Sequence, residues 1–424
     1  MRKISIALAA LSLLNSGTLA ADQTSVGTGN KRAEEIGRGS PLIRSALRAL
    51  VTNASKIADR QLRSATLDIM VHPKACVVHR ANLTDNDKDA IIQHLISEGL
   101  LNPKDGSAIP GGLKAGVFPP LLAQGTPCPR VPLDFYAAPG SSDDSHHAYP
   151  GGLAMHEAFN QQSAVNLAAT YRQMYGGLDE DNNDLNINQD VILAAPAWHD
   201  WAKTMVFQWN ADGTEFTEFR FGGTGTHDNA GKPGDSRTGA HHIIGIAEAM
   251  ARGLSPLMVI TQASAHSAPT LGNEYKVVNW LRAGSILARI DPVAKGYLTR
   301  DAAGTYQLPQ LQKSGDANHV DHERSHLRIE YQIHNLSDGD YVNSVPALLL
   351  AQSLLKALAL DYGYHPSDVA TYNTKFRNVV LSNLGAERIE ILYSQSGLFA
   401  VRAALNSLRK KGILHVPQTA EHQP

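Results

Sequence analysis

The amino-acid sequence predicts a mainly α fold: a helical bundle with a small β-hairpin insertion and flanking regions of helix with some strand. Apolar residues recur at spacings of three and four, for example over residues 42–51, which is the pattern of amphipathic helices. Alternation of apolar and polar residues is confined to short stretches, chiefly residues 205–221. The chain has 424 residues, 43% of them hydrophobic and 18% charged, so it can bury a large core.

The first half of the chain gives clear helical signals. Helical spacing runs from residue 31 to about residue 101 and includes an amphipathic helix over residues 85–101. Residues 109–140 are rich in proline and glycine, which predicts a surface connector around Cys128. Residues 141–202 predict two long helices separated by an acidic, asparagine-rich break at 179–184.

The second half of the chain has sequence patterns of both strands and helices. Residues 205–221 alternate about an Asn-Ala-Asp-Gly turn and predict a β-hairpin, and a glycine-rich loop follows. Helices are predicted over residues 241–252, 256–265 and 275–290. Further on, residues 326–333 predict a strand, residues 344–362 an apolar helix, and residues 388–405 a strand followed by a helix.

The N-terminus has the order of an export signal. Arg2 and Lys3 precede an apolar stretch at residues 4–14, and small residues lead to an expected cleavage site after Ala20. We therefore expect a periplasmic or secreted protein. No later segment looks long and apolar enough to anchor the chain in a membrane, so a soluble mature protein is expected.

The chain has two cysteines, Cys76 and Cys128. In an oxidising compartment they are expected to form one disulfide, although two buried thiols are the alternative. Because no other thiolate exists, any metal must be bound by histidine and carboxylate side chains. The net charge of −2 offers no basic field for long nucleic acid, so the expected partner is a small molecule.

Histidine is concentrated in the middle of the chain, where eight of the 18 histidines fall between His146 and His266. The pair His199-Asp200 ends an apolar helix and offers an imidazole beside a carboxylate that can bridge two cations. His156 precedes it in HHAYPGGLAMH, and His241 follows in GAHHIIG. Several imidazoles in apolar helices are costly to bury without partners, which favours a shared cation.

The ordered set HHAYPGG…H, AWHDxxK, GAHHIIG resembles the HD-domain superfamily of metal-dependent phosphohydrolases, and HHAYPGGLAMH is similar to members related to bacterial 3′-to-5′ exoribonucleases. The resemblance covers roughly residues 145–290 and implies an HD-domain-like helical bundle. It implies one or two divalent transition metals, Mn, Fe, Ni, Co or Zn. The metal ligands that it implies are His156, His199, Asp200, His241 and His266.

The resemblance also implies roles for the remaining residues of these motifs. Lys203 falls where many members have a substrate-contacting lysine, so Asp200 and Lys203 are the expected catalytic residues. His147 and Lys203 are expected to contact the substrate, whereas His242 is expected to serve packing. In the glycine-rich loop, Lys232 or Arg237 offers further phosphate contacts.

One position departs from the family. Its final ligand is an aspartate in a later helix, and the best alignment here puts Gly284 at that position. Asp291, two turns further along, is the substitute that the sequence offers, or the ligand is lost. A second cluster contains His319, His322 and His326, and it is read as a solvated segment, a second metal site, or a substrate-contacting cover with Arg324 or Arg328 on a phosphate.

These observations divide the chain into a signal peptide (1–20), an N-terminal helical region with its connector (21–140), an HD-like metal-binding core (141–300) and a C-terminal α+β extension (301–424). The expected function is exported phosphohydrolysis of a small phosphorylated molecule or nucleotide. Two alternatives stay open: a di-iron oxygenase of the same superfamily, and a metal-poor exported binding module without activity.

Overall fold

The computed structural model describes residues 27–76, 83–109, 111–119, 121, 128–142, 145–177, 185–216, 218, 220–221, 236–270, 272–310 and 328–415. Over these residues the protein is mainly α-helical, as the sequence predicts, and its strands form two small antiparallel sheets. The signal peptide, Lys232 and the cluster at residues 319–326 lie outside the described residues.

The N-terminal helical spacing is confirmed. The described elements before residue 150 are α1 (Asn30–Gly39), α2 (Pro41–Ala54), α3 (Arg60–Val71), α4 (Asp85–Ser97), a 3₁₀ turn (Pro103–Ala108) and α5 (Gly112–Val117). Local chemistry sets the helix starts: the Ser40 hydroxyl accepts a hydrogen bond from the Ile43 N–H, and Thr84 and Asp87 form a reciprocal capping box.

The central region holds the helices that carry the histidine motifs. Its elements are α6 (Gly152–Tyr175), α7 (Gln189–His199), α8 (Lys203–Val206), β1 (Arg220–Phe221), β2 (Thr238–Gly239), α9 (Ala240–Ala251), α10 (Pro256–Ala263) and α11 (Glu274–Ala288). The α7 and α9 helices are buried along almost their whole length, as their apolar sequences predict. They therefore lie at the centre of the bundle.

The C-terminal part is also mostly helical. Its described elements are β3 (Thr299–Arg300), β4 (Tyr306–Gln307), α12 (Ile329–Ser337), a 3₁₀ turn (Asp338–Asp340), α13 (Tyr341–Leu358), a 3₁₀ turn (Ala359–Tyr362), α14 (Val369–Thr371), a π-helical turn (Tyr372–Arg377), α15 (Asn378–Leu384) and α16 (Ala386–Lys410).

Both strands predicted from the C-terminal sequence are wrong. Residues 329–333 begin α12, in which the buried residues Glu330, Ile333, His334 and Ser337 recur at the three- and four-residue spacing of a helix. Residues 388–395 belong to α16, where Ile391 is 50% exposed. In both places an alternating pattern of apolar residues imitates the period of a strand.

The predicted hairpin is present in reduced form. Met205 belongs to α8, and the chain then makes a tight turn closed by a single bridge between Trp209 and Glu215. The strand that follows, β1, pairs with β2 and not with the residues before the turn. This pairing places the start of α9 directly behind a short β-ladder.

The prediction of a surface connector over residues 109–140 is wrong for most of its described part. Val131, Leu133 and Phe135 are fully buried, and α5 lies within the same stretch. Proline and glycine predicted irregular backbone correctly, but the apolar side chains between them pack into the core. The segment is therefore part of the wall around the central helices.

Cys76 and Cys128 form the predicted disulfide. Next to it, Lys74 and Arg130 make an antiparallel bridge, so two distant segments are joined side by side. The Cys76 N–H also donates to the carboxylate of Glu248 on α9, at 2.7 Å. The disulfide thus holds the N-terminal segment against a helix of the histidine region.

One hydrophobic core runs through the described protein and joins all its regions, with Leu50, Trp198 and Leu355 among its fully buried members.

The helical stretch Ile329–Tyr362 is long and apolar enough by composition to cross a membrane, contrary to expectation, and half of its most apolar window is buried in the protein. Burial on this scale is also found in the core helices of soluble proteins.

Candidate metal centre

The structure brings together the five metal ligands that the sequence predicts. His156 lies in the second turn of α6, His199 is the last residue of α7, and Asp200 follows it directly. His241 lies in the first turn of α9, and His266 follows the end of α10. All but His266 are at least 94% buried, and the His266 side chain is 26% exposed.

Asp200 lies at the centre of this cluster, and its two oxygens face different imidazoles. Oδ2 lies 3.3 Å from His156 Nε2 and 3.4 Å from His199 Nε2. Oδ1 lies 3.0 Å from His241 Nε2 and 3.9 Å from His266 Nε2. The carboxylate therefore separates two pairs of histidines, which is the arrangement of a ligand that bridges two cations.

Asp338 is the carboxylate that sequence analysis missed. Its Oδ1 lies 3.0 Å from His156 Nε2 and 3.1 Å from His199 Nε2, so it completes the side of the cluster that contains Asp200 Oδ2. It lies at the end of α12, in the C-terminal extension. A signal was present in the sequence, since Asp338 follows His334 by four residues, one helical turn.

The position aligned with the family's aspartate cannot supply a ligand. A Cβ atom on Gly284 would lie 2.6 Å from Cγ2 of Ile246, because α11 packs closely against α9 there. The substitute Asp291 lies beyond the end of α11 and accepts hydrogen bonds from the N–H groups of Val293 and Ala294. It serves an exposed turn and not the cluster.

Three of the four histidines have a partner on the nitrogen that points away from Asp200. His199 Nδ1 donates to the Pro196 carbonyl at 2.9 Å, and His241 Nδ1 lies 2.5 Å from Oε1 of Glu218. His266 Nδ1 lies 3.2 Å from the Thr238 hydroxyl. For His199 and His241 the partner accepts a proton on Nδ1, which leaves the lone pair of Nε2 directed at the cluster.

Lys203 and Glu157 add two buried charges beside these ligands. The Lys203 ammonium contacts Asp200 Oδ2 and the Gly140 carbonyl. Glu157 Oε2 lies 3.6 Å from His199 Nδ1, and burial raises the pKa of Glu157 to about 8. Neither glutamate beside the cluster, Glu157 or Glu218, was singled out from the sequence.

The electrostatics of the cluster favour a bound cation. Burial lowers the pKa of His199, but Asp200, Glu157 and Asp338 outweigh it and hold the pKa well above its usual range. Burial raises the pKa of Asp200, but His199, Lys203 and His241 hold it well below its usual range. The carboxylates that favour a proton on His199 would favour a cation at the same place.

The unpaired polar atoms fit a metal site. Within the described residues, the Nε2 atoms of His156, His199 and His241 and the Oδ1 atom of Asp200 are buried and make no hydrogen bond of normal geometry. A buried polar atom without a partner costs free energy, and a shared ion would remove that cost for all four. The buried His/Asp/Glu cluster can hold a metal ion.

Other predicted residues lie around this centre or away from it. His147 is buried, with Nε2 3.3 Å from Glu387 on α16. His242 donates through Nε2 to the Ala263 carbonyl and stacks on His266, in keeping with the packing role expected for it. Arg237 pairs with Asp105, and Arg328 pairs with Glu330.

His334 on α12 is a further buried histidine beside the centre. Its ring lies 5.0 Å from the His199 ring, and neither of its nitrogens has a hydrogen-bonding partner among the described residues.

Comparison with known proteins adds no family: no family model matches the chain, and no match was found among curated proteins or solved structures.

Proposed function

We propose that this protein is an exported metal-dependent phosphohydrolase of the HD type that acts on a small phosphorylated molecule or nucleotide. The observation that carries the proposal is the position of Asp200, whose two oxygens face two separate pairs of histidine nitrogens. The order of these ligands along the chain is the order that the resemblance implies. The disulfide is compatible with export.

Two subsites follow from the contacts. His156, His199, Asp200 and Asp338 would hold one divalent cation, because the carboxylate oxygens lie 3.0–3.4 Å from both Nε2 atoms. Asp200, His241 and His266 would hold the second. Imidazole and carboxylate ligands suit Mn, Fe, Ni, Co or Zn. Such a pair of cations lowers the pKa of a water molecule and neutralises the charge of phosphoryl oxygens during in-line displacement.

The residues of the chain have defined tasks in this chemistry. Asp200 holds the two subsites at a fixed separation, because one rigid carboxylate belongs to both. Pro196 and Glu218 orient the rings of His199 and His241 through Nδ1, so that neither imidazole has to turn when the substrate binds. The buried positions keep bulk water away from these charges, which strengthens each interaction.

Lys203 has a role that depends on the cations. In the structure its ammonium is the counter-ion of Asp200 Oδ2. Two divalent cations on Asp200 would take over that role, and the ammonium would then be available to a phosphate oxygen. We therefore assign Lys203 to substrate binding as well as to the catalytic site.

Asp338 favours an active metal enzyme over a metal-poor binding module. A module that had lost its terminal carboxylate would have an incomplete ligand set, whereas here a carboxylate from α12 lies within 3.1 Å of both His156 Nε2 and His199 Nε2. The near-neutral charge of the chain makes a long nucleic acid a poor substrate. A small phosphorylated compound remains the substrate class of this proposal.

The test uses full-length protein treated with a chelator and reloaded in turn with Mn, Fe, Ni, Co, Zn and Mg. Each form is assayed for phosphate or nucleotide release from phosphomonoesters, phosphodiesters and nucleotides, and for oxygen uptake. Asp200→Ala should abolish both turnover and metal binding, whereas Lys203→Ala should chiefly raise KM. Asp291→Asn is the matched control and should behave as wild type.

Two results would overturn the proposal. Oxygen uptake without hydrolysis would make the protein an oxygenase on the same ligands. Absence of bound metal from wild-type protein, together with no release from any substrate, would favour the binding module.

A further inference from the structure

His156 differs from the other histidines of the centre, because neither of its nitrogens is fixed by a hydrogen bond. Its Nε2 faces Asp200 and Asp338, as described above. Its Nδ1 lies 3.1 Å from Oδ1 of Asp340, yet within the described residues both of these buried atoms have no hydrogen bond of normal geometry. Two polar atoms that lie this close without a hydrogen bond between them have the separation expected of two ligands of one ion.

Two more imidazoles lie beside His156, and the three histidines form a group that could hold a metal ion. The ring of His146 lies 4.7 Å from the His156 ring, and the ring of His147 lies 5.6 Å from it. His146 Nδ1 and His147 Nδ1 are 3.5 Å apart. Metal–nitrogen bonds of about 2.0–2.1 Å in a tetrahedral site place two ligand nitrogens about 3.3–3.4 Å apart, so this separation suits a shared ion.

The partner of His147 supports the same interpretation. His147 Nε2 lies 3.3 Å from Oε1 of Glu387, which is the position of a carboxylate that receives the proton of a metal-binding imidazole. With the proton on Nε2, the lone pair of His147 lies on Nδ1, the atom that faces His146. Glu387 comes from α16, so this orientation is provided by a distant part of the chain.

The backbone holds His147 in an unusual conformation. Its φ of +53° is in the left-handed region, which costs free energy for a residue other than glycine. The His147 carbonyl accepts hydrogen bonds from the N–H groups of Gly140 and Tyr149, at 2.9 and 2.8 Å. A Cβ on Gly152 would lie 1.8 Å from that carbonyl, so the loop closes only because residue 152 is glycine.

We propose that His146, His147 and Asp340 form a third cation subsite together with His156. His156 would bridge this subsite to the main centre through its two ring nitrogens as an imidazolate, with its remaining ring proton released to solvent when the cations bind. His146 is partly exposed, which gives an ion a path from solvent. The subsite assigns to His147 a ligand role in place of the phosphate contact suggested by the sequence. It shares His156 with the proposed phosphohydrolase centre but does not depend on the reaction catalysed there.

The test counts metal ions and does not depend on activity. Chelator-treated wild-type protein is titrated with Co²⁺ and analysed for bound metal, with circular dichroism as the check on folding. Wild type should bind three equivalents, and His146→Ala and Asp340→Asn should bind two. His147→Asn should also bind two, and asparagine is chosen because it tolerates a positive φ.

Two further variants separate the subsite from general disturbance of the region. Glu387→Gln should weaken only the third equivalent, by about 10- to 100-fold, which is typical when a partner behind a ligand is removed. His334→Asn replaces another buried imidazole near the centre and should keep three equivalents. The Co²⁺ ions bridged by His156 should also show magnetic coupling that His146→Ala removes.

The outcomes distinguish this proposal from the proposed function. Two equivalents in wild type, unchanged in the three ligand variants, would overturn the third subsite and leave the two-cation centre intact. Binding of inorganic phosphate that the variants abolish, with metal content unchanged, would make His146 and His147 anion ligands and would also overturn it. No bound metal in wild type would remove both proposals.

Discussion

Asp338 provides the sharpest test of the metal centre, because sequence alignment placed the corresponding carboxylate elsewhere. We consider Asp338→Asn, which keeps the size of the side chain and removes its charge. The Oδ1 atom of Asp338 lies 3.0 Å from His156 Nε2 and 3.1 Å from His199 Nε2. The substitution therefore acts on the subsite of the main centre that contains His156 and His199, and it leaves the ligand His241 of the other subsite in place.

The size of the effect follows from these distances. The carboxylate charge of Asp338 and a unit positive charge about 3 Å away attract each other by about 5 kcal/mol at an effective dielectric constant of about 20. The cost of burying the carboxylate offsets part of this, so we expect a net loss of about 3 kcal/mol. That corresponds to a roughly 10²-fold weaker affinity for one metal equivalent. The other equivalents should bind as in wild type.

The assay is competition titration of chelator-treated protein with Co²⁺ or Zn²⁺, followed by elemental analysis. Asp291→Asn is the matched control, because Asp291 was the substitute ligand suggested by the sequence and asparagine preserves its hydrogen bonds to the turn. If Asp338→Asn retained every equivalent at wild-type affinity while Asp291→Asn lost one, the geometric argument for Asp338 would be refuted.

Three other predictions concern stability and are checked by denaturation. Burial raises the pKa of Glu34 to about 7, so ionisation of this buried carboxyl lowers the stability of the folded protein as pH rises from about 4.5 to 7. Glu34→Gln should therefore stabilise the protein by about 1 kcal/mol at pH 8 but not at pH 4. Equal effects at both pH values would contradict this prediction. Replacing Cys76 and Cys128 with alanine should cost about 4 kcal/mol, because the disulfide closes a loop with a sequence separation of 52; an unchanged melting temperature would argue against it. Gly284→Asp introduces the aspartate that the resemblance implies at this position. It should destabilise the protein by about 3 kcal/mol or more, since its Cβ would collide with Ile246 and its charge would be buried; gain of a metal equivalent without loss of stability would contradict the packing.

The ligands predicted from the sequence share one property: each lies in a short motif on a helix or shortly after its end. His199 and Asp200 are adjacent, and His241 lies four residues before Gly245, a spacing that survives any change in how the helices pack. Local sequence was therefore enough to identify them. Their meeting around Asp200 needed only that the apolar faces of α6, α7, α9 and α10 share one core.

Asp338 could not be identified in this way, because its proximity to the centre depends on tertiary folding. Asn160 on α6 donates to Asp338 across 178 residues of sequence, and no local pattern encodes that contact. The resemblance predicted this carboxylate in α11, where Gly284 packs on Ile246. The predicted strands are wrong for a different reason: the apolar residues of α12 and α16 alternate in the sequence, and this alternation matches the period of a strand.

The disulfide has a consequence for when the centre is completed. Cys76 donates through its backbone N–H to Glu248, and Glu248 also accepts from Arg252 at the end of α9. Because α9 carries His241, the oxidised cysteine pair supports the helix that supplies a ligand to one subsite. For the exported protein proposed above, the disulfide would form after translocation, and we expect this oxidation to precede stable metal uptake by the centre.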